Sequence, residues 1–221
     1  SVLANDGTGT NILTGSRVAV VNIGAKSSPL PISPVEPATE TVSEDNAPTI
    51  ISSTHPDQTK WYADSSPEFS WNLPTGVLEV RTLIGASPSS VPTIRYAPPI
   101  GNKKIDILPD GTYYFHLQIR TATGWSSVAH YRVNIDTTPP KPFSITFPHG
   151  TKGIEPRPIV LFNTTDDQSG VSHYDIKIGS GGPLSINSPV ISNPYSLPEQ
   201  LPGTHTVKVT AFDRAGNVAS A

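Results

Sequence analysis

Four side chains in the last third of the sequence have the chemistry to hold a hard cation: Asp166, Asp167, Asp213 and Asn217. Calcium takes roughly six to eight oxygens from carboxylates, amide and backbone carbonyls and water, and the loops carrying these residues could converge at one pole of a domain. The commoner role of Asp and Asn at such positions is to end strands and cap turns. Trp61 and Tyr62 adjoin in a polar stretch. An exposed indole there could stack on a sugar ring, but more often such a residue covers the end of a domain while its N–H finds a partner. Trp125, beside a turn glycine, invites the same two readings. Of the six histidines, His116 and His130 fall at outward positions on strands that could be neighbours. They could share a zinc, yet no third ligand is evident, and polar cross-strand pairing is the simpler account. Motifs for catalysis are missing: there is no nucleophile elbow and no HExxH, and Gly7-Thr8-Gly9 lacks the spacing and the following helix of a phosphate loop. Asn163-Thr164-Thr165 is a glycosylation sequon, with meaning only in a host that uses it. The expectation is therefore no catalytic residue and no required cofactor, with Ca2+ as the one candidate ion.

The elements that must carry these residues are strands. From Tyr113 the odd positions run Tyr113, Phe115, Leu117, Ile119, and the even ones Tyr114, His116, Gln118, Arg120. Successive side chains of a strand point to opposite faces, so strict alternation marks a strand with one face in a core. Tyr131, Val133 and Ile135 alternate in the same way on a return strand. A one-residue slip would expose the whole apolar set, which fixes the register. Further strands are expected at Thr49–Ser53, Glu68–Asn72, Leu78–Ile84 and Lys104–Ile107, then at Ser144–Phe147, Ile159–Asn163, Ser172–Ile178, Ser185–Ile191 and Thr204–Phe212. Turn residues such as Pro109-Asp110-Gly111 separate them.

The pattern occurs twice. Gly203 lies 92 positions after Gly111, and Gly216 lies 92 after Gly124. Between those glycines Phe115, Leu117 and Ile119 map onto Val207, Val209 and Ala211. Asp213 and Asn217 map onto Thr121 and Trp125, so the two copies should differ in any cation they hold. The fold expected is all-β, with two tandem immunoglobulin or fibronectin III-like sandwiches, residues 48–138 and 139–221. The second copy stops just past Ala215-Gly216-Asn217, and its last strand is expected to be missing.

The totals agree with such a fold. The 221 residues include 24 Pro and 17 Gly, a composition of short strands and turns rather than helices. A net charge of -3 without a basic run argues against a nucleic-acid partner, and no apolar run approaches the roughly 18–20 residues that would span a bilayer. Cysteine is absent, so disulfides say nothing of the compartment. Methionine is absent too, and the chain reads as a segment of a longer polypeptide. Residues 26–47, rich in Pro, Ser, Thr and Glu, have too little apolar surface to offset ordering and read as a semi-stiff linker. Residues 1–25 hold a Gly/Asn/Thr-rich loop and a strand candidate at Arg17–Ile23 that is apolar on both faces. Such a strand wants cover on both sides, from a domain upstream or by addition to an open sheet edge of a neighbouring chain.

Two resemblances bear on context. The stretch VLANDGTGTNIL resembles the C-terminal end of a cohesin-like domain. SSTHPDQTKWYADSSPEFSW, DGTYYFH and HYRVNIDTTPP, with DDQSGV and TAFDRAGNVAS, resemble immunoglobulin-like or fibronectin type III-like repeat modules of bacterial surface proteins. The resemblance implies an extracellular or cell-surface location and a non-enzymatic, structural or adhesive role: spacing other domains of the same polypeptide. It also leaves a cell-surface protein or glycan, or a second copy through strand addition, as partner. Carbohydrate binding through Trp61 and Tyr62, as an accessory to a secreted enzyme, and a strand-exchanged filament are the alternatives.

Overall fold

The computed structural model describes residues 42–43, 47–188 and 193–221, and all regular structure among them is strand. The strand expected at Arg17–Ile23 and most of the linker lie outside the described residues, as does the end of the strand expected at Ser185–Ile191. Thr41–Ala221 forms one compact unit. In chain order its strands are β1 (Val42–Ser43), β2 (Ile50–Ser52), β3 (Trp61–Tyr62), β4 (Glu68–Trp71), β5 (Glu79–Gly85), β6 (Ile94–Tyr96), β7 (Asn102–Lys104), β8 (Gly111–Thr121), β9 (Gly124–Ser126) and β10 (Ala129–Ile135). Then follow β11 (Ile159–Val160), β12 (Val171–Ile178), β13 (Leu184–Asn187), β14 (Tyr195–Ser196), β15 (Val207–Asp213) and β16 (Val218–Ser220).

The first ten strands make one sandwich. β8 is its axis: β5 pairs with it antiparallel on one side, and β10 and then β9 along the other. β6 extends the sheet beyond β5, while β1 and β3 add in parallel beside β9 and β10. The facing sheet is β2-β4-β7. Phe69 and Trp71 from β4 meet Phe115, Leu117 and Ile119 from β8 and Tyr131 and Val133 from β10, all buried. Phe69 and Phe115 stack with ring centroids 4.2 Å apart. The alternation seen in the sequence is thus the core face of the axis strand.

The remaining strands make a second sandwich. β13-β12-β15-β16 form one sheet and β11-β14 part of the other. A single bridge between Thr146 and Leu161 stands where a strand was expected at Ser144–Phe147; Pro142 and Pro148, which have no N–H to give, bracket that segment. Its separate core comprises Val160, Phe162, Tyr174, Ile176, Leu197, Val209 and Ala211. The repeat holds in the pairing. Val80 and Thr82 lie opposite Ile119 and Leu117 in the first sandwich, as Tyr174 and Ile176 lie opposite Ala211 and Val209 in the second. The architecture is two tandem β-sandwiches of immunoglobulin or fibronectin III-like kind.

Three expectations need correction. Where the second sandwich was expected to lack its last strand, a short strand is found: Val218–Ser220 pairs with Thr210–Phe212, and Ala221 exchanges two backbone hydrogen bonds with Val209. The strand expected at Lys104–Ile107 is found at Asn102–Lys104, opposite Glu68–Ser70; past it Pro67 has no N–H to give, and its carbonyl alone carries the pairing on, accepting Ile105 N at 2.9 Å. His116 does hold an outward position of the pleat but is not exposed there: it is fully buried, with Nε2 3.0 Å from the carbonyl of Ser87 in the connection after β5.

Candidate functional site

The residues with most chemistry to offer meet where the two sandwiches join. Asp136 follows the last core residue of β10, Asp166 lies in the loop before β12, and Asp213 ends β15. Each presents one carboxylate oxygen within 4.8 Å of the others, with Asp136 and Asp213 buried. The turn after β15 closes on Asp213: its Oδ1 accepts the backbone N–H groups of Ala215, Gly216 and Asn217 at 2.8, 2.7 and 2.9 Å, and Oδ2 accepts Nδ2 of Asn217 at 2.8 Å. Asp166 Oδ1 likewise accepts the N–H groups of Gln168 and Gly170. Both are the turn-capping geometry that Asp offers wherever a loop needs N–H groups satisfied.

Asp136 ties the two sandwiches together. Its Oδ1 accepts the N–H of Thr138 at 3.1 Å and its Oδ2 the N–H of Ser169, from the second sandwich, at 3.0 Å. Its backbone carbonyl accepts Nδ2 of Asn217 at 2.8 Å. The joint is pinned from the other side as well: Asp110 Oδ1 accepts Thr137 N and Oγ1, and Oδ2 accepts Thr138 Oγ1. Lys141 N donates to Thr165 O at 3.0 Å, and its Nζ pairs with Asp167 at 2.9 Å. The Thr138-Pro139-Pro140 segment has fixed φ at both prolines, and these bonds fix what the prolines leave free.

The electrostatics differ between the two carboxyls of the joint. Burial pushes the Asp136 carboxyl up, and the nearby Asp166 adds to that, against hydrogen bonds from Ser169 and Thr138. Asp110 is also raised by burial, but the hydrogen bonds from Thr138 and Thr137 outweigh it and hold the group below its ordinary value.

Of the four residues expected around a cation, the structure brings Asp166, Asp213 and Asn217 together, Asn217 holding Asp213 and Asp136 at once. Asp167 is instead exposed and engaged with Lys141. Asp136 takes its place in the cluster, a residue that sequence reasoning missed. Its only signal was its position directly between a core strand and a Pro-Pro joint. In the first sandwich the equivalents are Thr121, whose hydroxyl bonds Thr123, and Trp125, buried with the Arg81 guanidinium 3.9 Å from its ring centre.

Trp61 and Tyr62 are both half-buried in β3. The Tyr62 hydroxyl accepts the N–H of Asp57 and donates to its carbonyl, while the ring lies 4.5 Å from that of His55. His55 is buried, and its pKa is held down by burial against the Asp64 carbonyl and charge. This end of the first sandwich is further closed by the Tyr131 hydroxyl, which donates to His55 O at 2.7 Å.

No protein-family model matches the chain, and no curated protein matches it. Among solved structures it is similar to the fibronectin(III)-like modules of Clostridium thermocellum CbhA, at 16% identity over 78% of this chain and 90% of that chain, with a TM-score of 0.46. It is also similar to the chicken CNTN1 FN1-FN3 domains, at 14% identity over 81% of this chain and 68% of that chain, with a TM-score of 0.37.

Proposed function

We propose that this chain is a non-catalytic structural segment of a larger extracellular protein, two sandwiches held in fixed succession so that they space and present other domains of the same polypeptide. The observation that carries the reading is the joint. Residues 136–141 are bonded to both sandwiches by Asp110, Ser169, Asn217 and Thr165. A connection that only had to link two modules would not need a fully buried carboxylate to bridge them, since burying charge is costly unless its hydrogen bonds are made. A bacterial cell-surface setting and an adhesive role follow from the resemblance of the repeat segments.

At the same joint we propose Ca2+ as the ion that Asp136, Asp166 and Asp213 would take, with Asn217 positioning Asp213. Three mutually repelling carboxylates, two of them buried, gain most from a divalent charge. One experiment addresses both statements. Residual dipolar couplings of the full chain are expected to fit a single alignment tensor for both sandwiches, and to split into two when Thr138-Pro139-Pro140 is replaced by Gly-Ser-Gly. Independent tensors in the unaltered chain would remove the spacer reading. Calcium titration followed in the same spectra should shift the amides of residues 166–170 and 213–217, an effect lost in Asp166→Asn/Asp213→Asn; no shift at millimolar calcium would remove the ion and leave the spacer.

A further inference from the structure

The outer face of the first sandwich carries a second constellation, unconnected with the joint. His116 on β8 and His130 on β10 are direct cross-strand partners, with Nδ1 to Nδ1 at 2.6 Å and the rings edge to face. Nε2 of His116 lies 3.0 Å from the carbonyl of Ser87, in the connection between β5 and β6. His116 is fully buried and His130 exposed.

The hydrogen positions follow from the partners. A carbonyl only accepts, so Nε2 of His116 must carry its proton, which in a neutral imidazole leaves Nδ1 as an acceptor. His130 must then donate from its own Nδ1, and its Nε2 is left able to take up a proton. Taking up that proton leaves both hydrogen bonds standing. A further proton has only Nδ1 of His116 to bind to, where it would face the N–H of His130 across 2.6 Å. We propose that this pair is an acid-sensitive lock: with at most one extra proton it holds the β5–β6 connection to the sheet, and a second sets two N–H groups against each other, so that the His116 ring turns out of its place, takes Nε2 from Ser87 and releases the connection.

The surroundings give the second proton no help. Around the pair on this face stand Tyr114 and Gln118 on β8, Leu83 and Arg81 on β5, and Arg132 on β10. Two of those are cations and none is an acid. Glu79, further along β5, is engaged by Arg95 in two hydrogen bonds of 2.9 and 2.8 Å and by Arg120 at 3.6 Å. The connection itself, residues 86–93, contains no titratable side chain. Burial, then the charge of His130, hold His116 below its ordinary value, against the Ser87 carbonyl.

The test is histidine 15N NMR on the full chain from pH 8 to pH 4, with amide exchange followed in the same samples. At pH 8 His116 should show the Nε2–H tautomer and a coupling between the two Nδ1 nuclei. The second proton uptake should coincide with about tenfold faster exchange at Ala86–Val91, with the second sandwich unchanged, as expected for a local opening. In His130→Gln, whose amide can donate to His116 Nδ1 without titrating, the release should move to a different pH and follow a single proton. Protonation of His116 with no change in exchange at residues 86–91 would overturn the lock. So would an Nδ1–H tautomer of His116 at pH 8, or release at an unaltered pH in the variant.

Discussion

Equivalent positions in the two sandwiches do not have equivalent weight. Phe115 is buried at 1% exposure, stacked on Phe69 and 5.8 Å from Trp71; its counterpart Val207 is half-buried. Phe115→Ala should therefore cost about 3–5 kcal/mol, the range for a large aromatic removed from a closed core. Val207→Ala should cost only about 1 kcal/mol, since little apolar area is lost from a half-exposed site. Denaturant unfolding of both variants checks the contrast; equal losses would mean the second core is as closed as the first. The inward identity of Phe115, Leu117 and Ile119 was legible because alternation is a property of one strand alone. The burial of His116 and Trp125 was not. Both sit at outward positions of the pleat, and what covers them, the Ser87 connection and the Arg81 guanidinium, arrives from β5 and its neighbours.

Turns carry the site, and each of the two that hold Asp166 and Asp213 has a glycine at positive φ, Gly170 and Gly216. Gly170 has φ +76°, and a Cβ there would stand 2.7 Å from Nη1 of Arg214, whose guanidinium donates to Ser169 O. Gly76 has φ +93° with nothing within 4 Å of the same position. Both backbones favour glycine, but only Gly170→Ala must also displace a bonded side chain next to the Ser169 N–H that Asp136 accepts. Gly170→Ala should cost about 2–3 kcal/mol and Gly76→Ala about 1 kcal/mol, read from urea midpoints. If the two variants lose the same amount, the Arg214 contact contributes nothing. The longer strands were legible from their period, as the alternation of Tyr131, Val133 and Ile135 in β10 shows. Short ones escaped notice: β3, β6 and β14 have two or three residues each, too few to show a period, and they exist because a neighbouring strand offers them a ladder.

The pH dependence of the whole molecule should be a sum of opposed parts. His116 is held below its ordinary value of 6.5, so the unfolded chain takes up that proton first. The stability from His116 is complete above about pH 6.5 and is lost as the pH falls below it. Asp136 is raised above its ordinary 3.8. Its contribution is complete below that pH and is lost as the pH rises through the folded value. Acidification should thus loosen the outer face of the first sandwich while relieving charge at the joint. Unfolding free energies between pH 4 and pH 8 test the second half: the difference between Asp136→Asn and the unaltered chain should move in favour of the variant as the pH rises. A difference independent of pH would mean that Asp136 is not raised.

What the residues settled in advance was everything encoded by order along one stretch: which face of each long strand is apolar, that the pattern recurs 92 positions on, and that Pro139-Pro140 stands between the copies. What the three-dimensional arrangement alone decided was company. Asp136, Asp166 and Asp213 are neighbours because the end of one sandwich abuts two loops of the next, and Asp136 joins them although the sequence singled out Asp167 instead. Such meetings depend on how sheets close and stack, and no local spacing in the chain records them.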